Sequence, residues 1–150
     1  LIIESISDYA IFTVSPENII NSWNTGAEKV FGFSEGEALG QSGAIIFTPE
    51  DRRNGAPEQE IKTALEKGAA PDERFHIRKD GSRFYVSGVM TLLKDNNGKV
   101  RGFVKIARDM TERVKVEKVM HEKAMLQKVI GVLEDERLRI ARDLHDELGQ

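Results

Sequence analysis

The chain has 150 residues, of which 39% are hydrophobic and 31% charged, a composition that suits one globular domain with a charged helical extension. Its net charge of −3 argues against a nucleic-acid-binding surface, because such a surface is normally strongly basic. Cysteine is absent, which excludes a disulfide framework, a thiolate metal site and a cysteine nucleophile. No apolar run approaches the about 18 residues of a membrane span, and the N-terminus does not resemble a signal peptide. We therefore expect a cytoplasmic fragment, and leave open a membrane anchor of the parent protein upstream of Leu1.

The beginning of the chain predicts a short lead-in followed by a β-hairpin. Residues 1–8 form the lead-in, as a helix or linker from an upstream segment. Residues 10–14 and 19–23 are rich in β-branched and aromatic side chains, and turn-forming residues 15–18 separate them. This arrangement is typical of two antiparallel strands joined by a turn.

Helices are predicted to follow the hairpin. The first covers residues 25–31, and the second covers residues 34–40 and opens with capping-box spacing. Pro49 breaks the chain after an apolar run. A longer helix covers residues 57–68, with a proline in its first turn and a glycine at its end. Its buried side is predicted to carry Ile61, Ala64 and Leu65.

Three strands in hairpin order are predicted next. They cover residues 73–78, 84–93 and 100–108, and glycine-containing turns at residues 79–81 and 96–98 join them. The order of strand, strand, helices and three strands predicts an α+β fold with an antiparallel sheet. In the first of these strands the apolar Phe75 and Ile77 alternate with Arg74, His76 and Arg78.

A long helix is predicted to begin where the last strand ends. Asp109 and Glu112 have capping-box spacing, with Asp109 as the N-cap, and no flexible linker separates strand from helix. Hydrophobic residues then recur in alternating steps of three and four, which is typical of a coiled coil or helical bundle. This seam contains Val116, Val119, Lys123, Leu126, Ile130, Leu133, Arg137, Ile140 and Leu144, with the lysine and the arginine as its polar interruptions.

Four segments in this order resemble a PAS domain. They are residues 20–28, 31–33, 78–82 and 108–113, and the last is similar to the family's Asp-x-Thr signal-transfer motif. The resemblance implies a five-stranded antiparallel sheet with helices across one face, often enclosing a small-molecule pocket, and dimerisation through flanking helices. It places the sensor domain at residues 9–113. It also implies that Asp109, Thr111 and Arg113 couple the sheet to the long helix.

One histidine near the end of the helix has a chemically suggestive setting. His145 lies about 40° beyond the edge of the apolar arc, so it is beside a packing seam without being buried in it. Asp146 supplies a carboxylate that could fix its tautomer or take its proton. Gln150, one helical turn beyond Asp146, could orient a water for hydrolysis of a phosphorylated partner.

The stretch of residues 136–150 resembles the H-box of sensor histidine kinases, in the subclass with a His-Asp-x-x-x-Gln motif. The resemblance implies that His145 is autophosphorylated from ATP, with Asp146 as general base, and that Gln150 positions the hydrolytic water in phosphatase action on a response regulator. Residues 114–150 would be the signalling coiled coil and the start of the dimerisation helix. A homodimer through parallel helices is expected.

The resemblance also implies parts that the sequence does not contain. Nothing upstream of the motif resembles an ATP-binding domain, so we expect a truncated fragment whose parent binds ATP and Mg²⁺ elsewhere. The alternative interpretation is a non-enzymatic PAS adaptor whose coiled coil joins protein partners. That alternative explains the hydrophobic repeat of the long helix equally well, but it does not explain the His-Asp-x-x-x-Gln motif.

The sequence limits which cofactor this domain could bind. A flavin bound as a cysteinyl adduct is excluded because there is no cysteine. Haem is disfavoured because it needs an axial ligand, and the helix of residues 57–67 contains no histidine. No metal site is expected from the three scattered histidines. A non-covalent flavin or a small metabolite remains open, although the aromatic residues are better explained as core. Those residues are Trp23, Phe31, Phe47, Phe75, Phe84 and Phe103.

Overall fold

A computed structural model describes residues 8–149, so that Gln150 and residues 1–7 of the predicted lead-in lie outside the described residues. Five antiparallel strands form one sheet in the order β2-β1-β5-β4-β3. The strands are β1 (Ala10–Val14), β2 (Ile20–Trp23), β3 (Ala69–Ile77), β4 (Arg83–Lys94) and β5 (Val100–Asp109). The last strand therefore lies at the centre, between the N-terminal hairpin and the strands that precede it. The predicted five-stranded α+β fold is confirmed.

The helices between β2 and β3 begin and end at residues that suit those positions. They are α1 (Thr25–Phe31), α2 (Glu35–Ala38), a 3₁₀-helix (Gly43–Ile46), α3 (Pro49–Arg53) and α4 (Ala56–Lys67). The predicted capping box is present at the start of α2, where Ser34 and Glu37 bond each other's backbone N–H groups. At the end of α4, Gly68 adopts the left-handed conformation that favours glycine.

The helix α3 was missed by the prediction of a simple break at Pro49. A proline suits the first turn of a helix, because the N–H that it lacks has no partner there in any case. The hydroxyl of Thr48 accepts a hydrogen bond from the Asp51 N–H and caps the helix. The proline therefore begins a short helix instead of ending an element.

The core lies between these helices and the inner face of the sheet. At its centre is an aromatic group in which ring centroids lie 4.9–6.2 Å apart. The Trp23 ring N–H donates to the Phe33 carbonyl oxygen over 2.9 Å, so this buried ring leaves no donor unpaired. The rings belong to Phe12, Trp23, Phe31 and Phe84.

Strand β3 presents the opposite face from the predicted one. Phe75 is 49% exposed and packs against Tyr85 on the outer side of the sheet, whereas His76 is completely buried. The strand also begins four residues earlier than predicted, and its inward set includes Ala70 and Asp72. Because side chains alternate strictly along a strand, polar partners for His76 fix the whole strand in this orientation.

Helix α4 also buries a different side chain from the predicted one. Ala64 is buried as predicted and Ile61 is partly buried, but Leu65 is 47% exposed. Glu60, one turn before Ala64, takes the inward position instead. An acidic residue can occupy that position only because a charged partner from the sheet meets it there.

The long helix after β5, α5 (Thr111–Leu148), has no buried residue. The described residues divide into two compact units, one that ends at Thr111 and one that begins at Glu112. The hydrophobic residues of the predicted seam are about half exposed or more in the single chain. Between residues 8 and 149, no helix combines the length and the apolar character that crossing a membrane requires.

Candidate functional site

The first candidate region is the joint between β5 and α5. The Asp109 carboxylate pairs with the Arg78 guanidinium over 2.7 Å and accepts a hydrogen bond from the Thr111 N–H over 2.9 Å. The Thr111 hydroxyl in turn accepts from the Tyr85 N–H over 3.1 Å. Asp109 therefore links the end of β3, the end of β5 and the first residue of the helix.

The geometry at Asp109 differs slightly from a standard N-cap. The N–H bonded to its carboxylate belongs to Thr111, two residues on, whereas capping-box spacing predicts the N–H of Glu112. The Met110 N–H is satisfied by the Tyr85 carbonyl oxygen over 2.8 Å. Two of the three predicted coupling residues, Asp109 and Thr111, therefore lie in one hydrogen-bonded group.

The third predicted coupling residue, Arg113, lies on the exposed surface of α5. It pairs with Glu117 one turn further on, over 3.4 Å. Both side chains are more than two-thirds exposed, so this pair contributes little to stability. A role of Arg113 in coupling stays a prediction.

The second region is the predicted phosphoacceptor motif. His145 and Asp146 are both exposed on the last turns of α5. The His145 carbonyl oxygen accepts from the Gly149 N–H over 2.9 Å, as the helix ends. Gln150, the third predicted residue, lies outside the described residues. The exposed imidazole is accessible to a nucleotide or a partner protein, as a phosphoacceptor must be.

The third region is a buried charge cluster that the sequence analysis missed. It consists of Glu60 from α4, Asp72 and His76 from β3, and Lys105 from β5. The Lys105 ammonium group contacts a Glu60 carboxylate oxygen over 2.5 Å and also contacts Asp72. Asp72 accepts from the His76 ring over 2.6 Å, so one ion-paired network ties α4 to two strands.

The outer edge of this cluster is closed by an arginine. The Arg74 guanidinium donates to Asp72 over 2.7 Å and also pairs with Asp51 of α3 over 3.6 Å. The other ring nitrogen of His76 faces the Ile46 carbonyl oxygen at 2.9 Å. The imidazole therefore lies between two hydrogen-bond acceptors.

Burial and the neighbouring charges shift the pKa values of Glu60, His76 and Asp72. Burial raises the pKa of Glu60, against the opposing charge of Lys105. Burial also lowers the pKa of His76, although its hydrogen bond to Asp72 acts in the other direction. For Asp72 burial would raise the pKa, but the His76 hydrogen bond and the Lys105 charge outweigh it and hold that pKa far below its ordinary value.

The alternation of side chains along the strands could have predicted part of this cluster. Phe103, Lys105 and Ala107 alternate along one strand, so a lysine shares the inward face with two core residues. Asp72 and His76 share a face of β3 in the same way. The signal was overlooked because charged residues on a strand are usually assigned to the solvent side.

A small cavity adjoins the cluster between α4 and the sheet. It leaves about 10 Å³ for the centre of a water-sized molecule, room for about one such molecule. Glu60, Lys105 and Asn18 bring polar atoms to its wall, and the remaining wall is mostly apolar. The cavity is therefore much smaller than a flavin or a haem.

Comparison with known proteins defines the class to which this fold and joint belong. The family model described as PAS domain matches residues 8–112, so the chain belongs to the PAS domain family. "Two-component system protein A" of Emericella nidulans is 37% identical over 120 residues, which are 80% of this chain and 17% of that protein. The chain therefore spans about one sixth of the length of this curated relative.

Solved structures agree with the fold. A PAS domain from Colwellia psychrerythraea superposes with a TM-score of 0.68 at 24% identity, covering 73% of this chain and 92% of that one. An RNA-binding light-oxygen-voltage receptor superposes with a TM-score of 0.65 at 21% identity, covering 85% of this chain and 36% of that one. At these identities the likeness concerns the fold alone.

Proposed function

We propose that this chain is the PAS sensor and first dimerisation helix of a two-component histidine kinase. The observation that carries the proposal is the 37% identity to a two-component system protein over 120 residues, a longer stretch than residues 8–112 that match the PAS family. The exposed His145 on α5 supplies the acceptor that such a protein needs. The parent protein therefore transfers phosphate in response to the PAS domain.

The proposed reaction uses residues at the end of α5. In the parent protein, an imidazole nitrogen of His145 attacks the γ-phosphorus of ATP, the bond to the bridging oxygen breaks, and ADP leaves. Asp146 takes the imidazole proton, and the phosphoryl group then passes to a carboxylate of a response regulator. Positioning and electrostatic stabilisation account for most of catalysis in phosphoryl transfer, so the ATP-binding domain must meet His145 in line.

The proposed coupling runs through the joint at Asp109. A change in the sheet alters the hydrogen bonds that Asp109 and Thr111 make, and the seam of α5 then repacks against the parallel helix of a second copy. Such a shift requires two helix packings that differ in stability between signalling states. Lys123 and Arg137 are proposed to weaken the seam enough for both packings to be accessible.

The core of the PAS domain is proposed to be filled by its own side chains. The small cavity beside Glu60 and the close aromatic contacts support this proposal. A haem or flavin ring would require several of these side chains to move. The stimulus is then a small ligand, or a change relayed from an upstream domain.

The phosphatase half of the proposal is tested with Gln150→Ala in the full-length parent protein. We expect slower dephosphorylation of the response regulator with autophosphorylation retained, because the amide orients only the hydrolytic water. Both rates are measured with labelled phosphate, and Gln127→Ala on the same helix is the matched control. Equal loss of both activities would contradict the role assigned to Gln150.

A further inference from the structure

Two buried acceptors that lack a hydrogen-bond donor face the same cavity. Among residues 8–149, the buried side-chain oxygens without a partner are Glu60 Oε2 and Asn18 Oδ1. Both residues line the small cavity under α4. Glu60 is 4% exposed, so solvent does not satisfy its free oxygen. A buried acceptor without a donor is unfavourable, since it keeps the cost of desolvation.

The charges of the cluster indicate independently that a proton is missing from these buried groups. With a neutral His76, ionised Glu60 and Asp72 oppose the single positive charge of Lys105. On the outer side, Arg74 pairs with Asp72 over 2.7 Å and with Asp51 over 3.6 Å, so its single charge is shared between two carboxylates. With Asp51 included, three carboxylates therefore oppose two cations, and one negative charge is uncompensated, which is costly for a buried group. One proton removes that charge, and on Glu60 Oε2 it also supplies the missing donor.

We propose that Glu60 is protonated in the folded PAS domain at neutral pH and donates its hydrogen bond towards Asn18 Oδ1. The proton is thus a ligand of the core, held between α4 and the turn before β2. Its release leaves a buried carboxylate on the inner face of α4 that must share the charge of Lys105 with Asp72. Alkaline conditions then loosen this helix from the sheet, whatever the activity of the parent protein.

The groups that face Glu60 limit where else the proton can reside. Asp72 is held in its charged form by Lys105 and by its hydrogen bonds from Arg74 and His76. The wall of the cavity adds Asn18 and apolar groups, and none of these titrates. His76 is the one other group of the cluster that can take the proton, because its ring lies between two acceptors.

The test is a ¹³C NMR titration of the Glu60 carboxyl carbon in the 150-residue chain, with His76 followed by its ring ¹⁵N shifts. We expect the Glu60 midpoint to lie above pH 7. A Glu60 midpoint below pH 7 would overturn the proposal. So would a proton found on His76, or an ionised Glu60 whose free oxygen is satisfied by a bound water.

A second measurement follows the helix itself by amide hydrogen exchange. We expect the protection factors of α4 in the wild type, divided by those in Glu60→Gln, to fall about tenfold per pH unit. This fall should begin at the ordinary pKa of glutamate and end at the raised pKa of Glu60 in the folded protein. Glu58→Gln, an exposed change on the same helix, should leave the ratio flat. A ratio for Glu60→Gln that does not change with pH would also overturn the proposal.

Discussion

At the residue scale, the structure depends on polar groups that are buried together. Asp72 accepts hydrogen bonds from Arg74, His76 and Lys105, which belong to two different strands. A buried carboxylate without these donors would carry a large desolvation cost. The inward orientation of β3 and the position of α4 therefore both involve this single acceptor.

Replacement of Asp72 by asparagine is expected to lower the free energy of unfolding by about 3–5 kcal/mol, because it leaves the buried ammonium group of Lys105 short of a counter-charge. Urea denaturation at pH 7 measures the change. Glu73→Gln, on the exposed side of the same strand, is the matched control and should cost less than about 1 kcal/mol. A similar stability of both variants would contradict the importance assigned to Asp72.

The pH dependence of this contribution has a definite sign. The pKa of Asp72 is lower in the folded protein than in the unfolded chain. Its stabilisation is therefore fully present above the unfolded value of about 3.9 and is lost as the pH falls towards the folded value. The difference between wild type and Asp72→Asn should therefore shrink as the pH falls below about 3.9.

At the element scale, the sequence predicted the order of strands and helices because their hydrophobic periods are regular. The face of β3 could not be predicted in the same way. Phe75 and His76 are neighbours on the strand, so only one of them can point into the core, and hydrophobicity alone favours the phenylalanine. The choice is made by partners distant in the chain, since His76 is satisfied by the Ile46 carbonyl oxygen and by Asp72.

The candidate sites differ in how far the sequence could predict them. The joint at Asp109 was predicted from a local motif, and the structure adds its long-range partners Arg78 and Tyr85. The buried charge cluster was not predicted, because Glu60 and Lys105 are 45 residues apart and meet only in the folded chain. Local motifs show which residues share a segment, but not which charges are buried together.

Helix α5 is expected to dimerise through its seam. Ile130→Glu should convert a dimer into a monomer, because it places a charge at the centre of the apolar stripe. His121→Glu is the matched control, since it introduces the same side chain at an outward position of the same helix. Sedimentation equilibrium distinguishes the two outcomes, and an Ile130→Glu variant that stays dimeric would place the interface elsewhere.

At the scale of the whole molecule, the chain combines a packed sensor with an exposed helix. The PAS unit ends at Thr111, and the helical unit begins at the next residue. A single intervening residue, Met110, separates the last strand from α5. So short a connection has few conformations of its own, so we propose that rearrangement of the strand end is passed into the helix instead of being absorbed by a linker.

The absorption spectrum of the purified chain tests the proposal of a side-chain-filled core. We expect only the bands of Trp23 and the two tyrosines, before and after denaturation. The small cavity beside Glu60 is the physical reason. A Soret or flavin band that is released on unfolding would contradict this expectation and would identify a gas, redox or light sensor.

The proposed function requires His145 to accept phosphate. The most direct measurement is incorporation of label from γ-labelled ATP and Mg²⁺ into the full-length parent protein, compared between wild type, His145→Gln and His121→Gln. We expect an acid-labile label in the wild type and in His121→Gln. In His145→Gln that label should fall by at least about 100-fold, since no other group replaces the nucleophile. Undiminished labelling of His145→Gln would contradict the assignment, and absence of label in every form would favour a PAS adaptor without kinase activity.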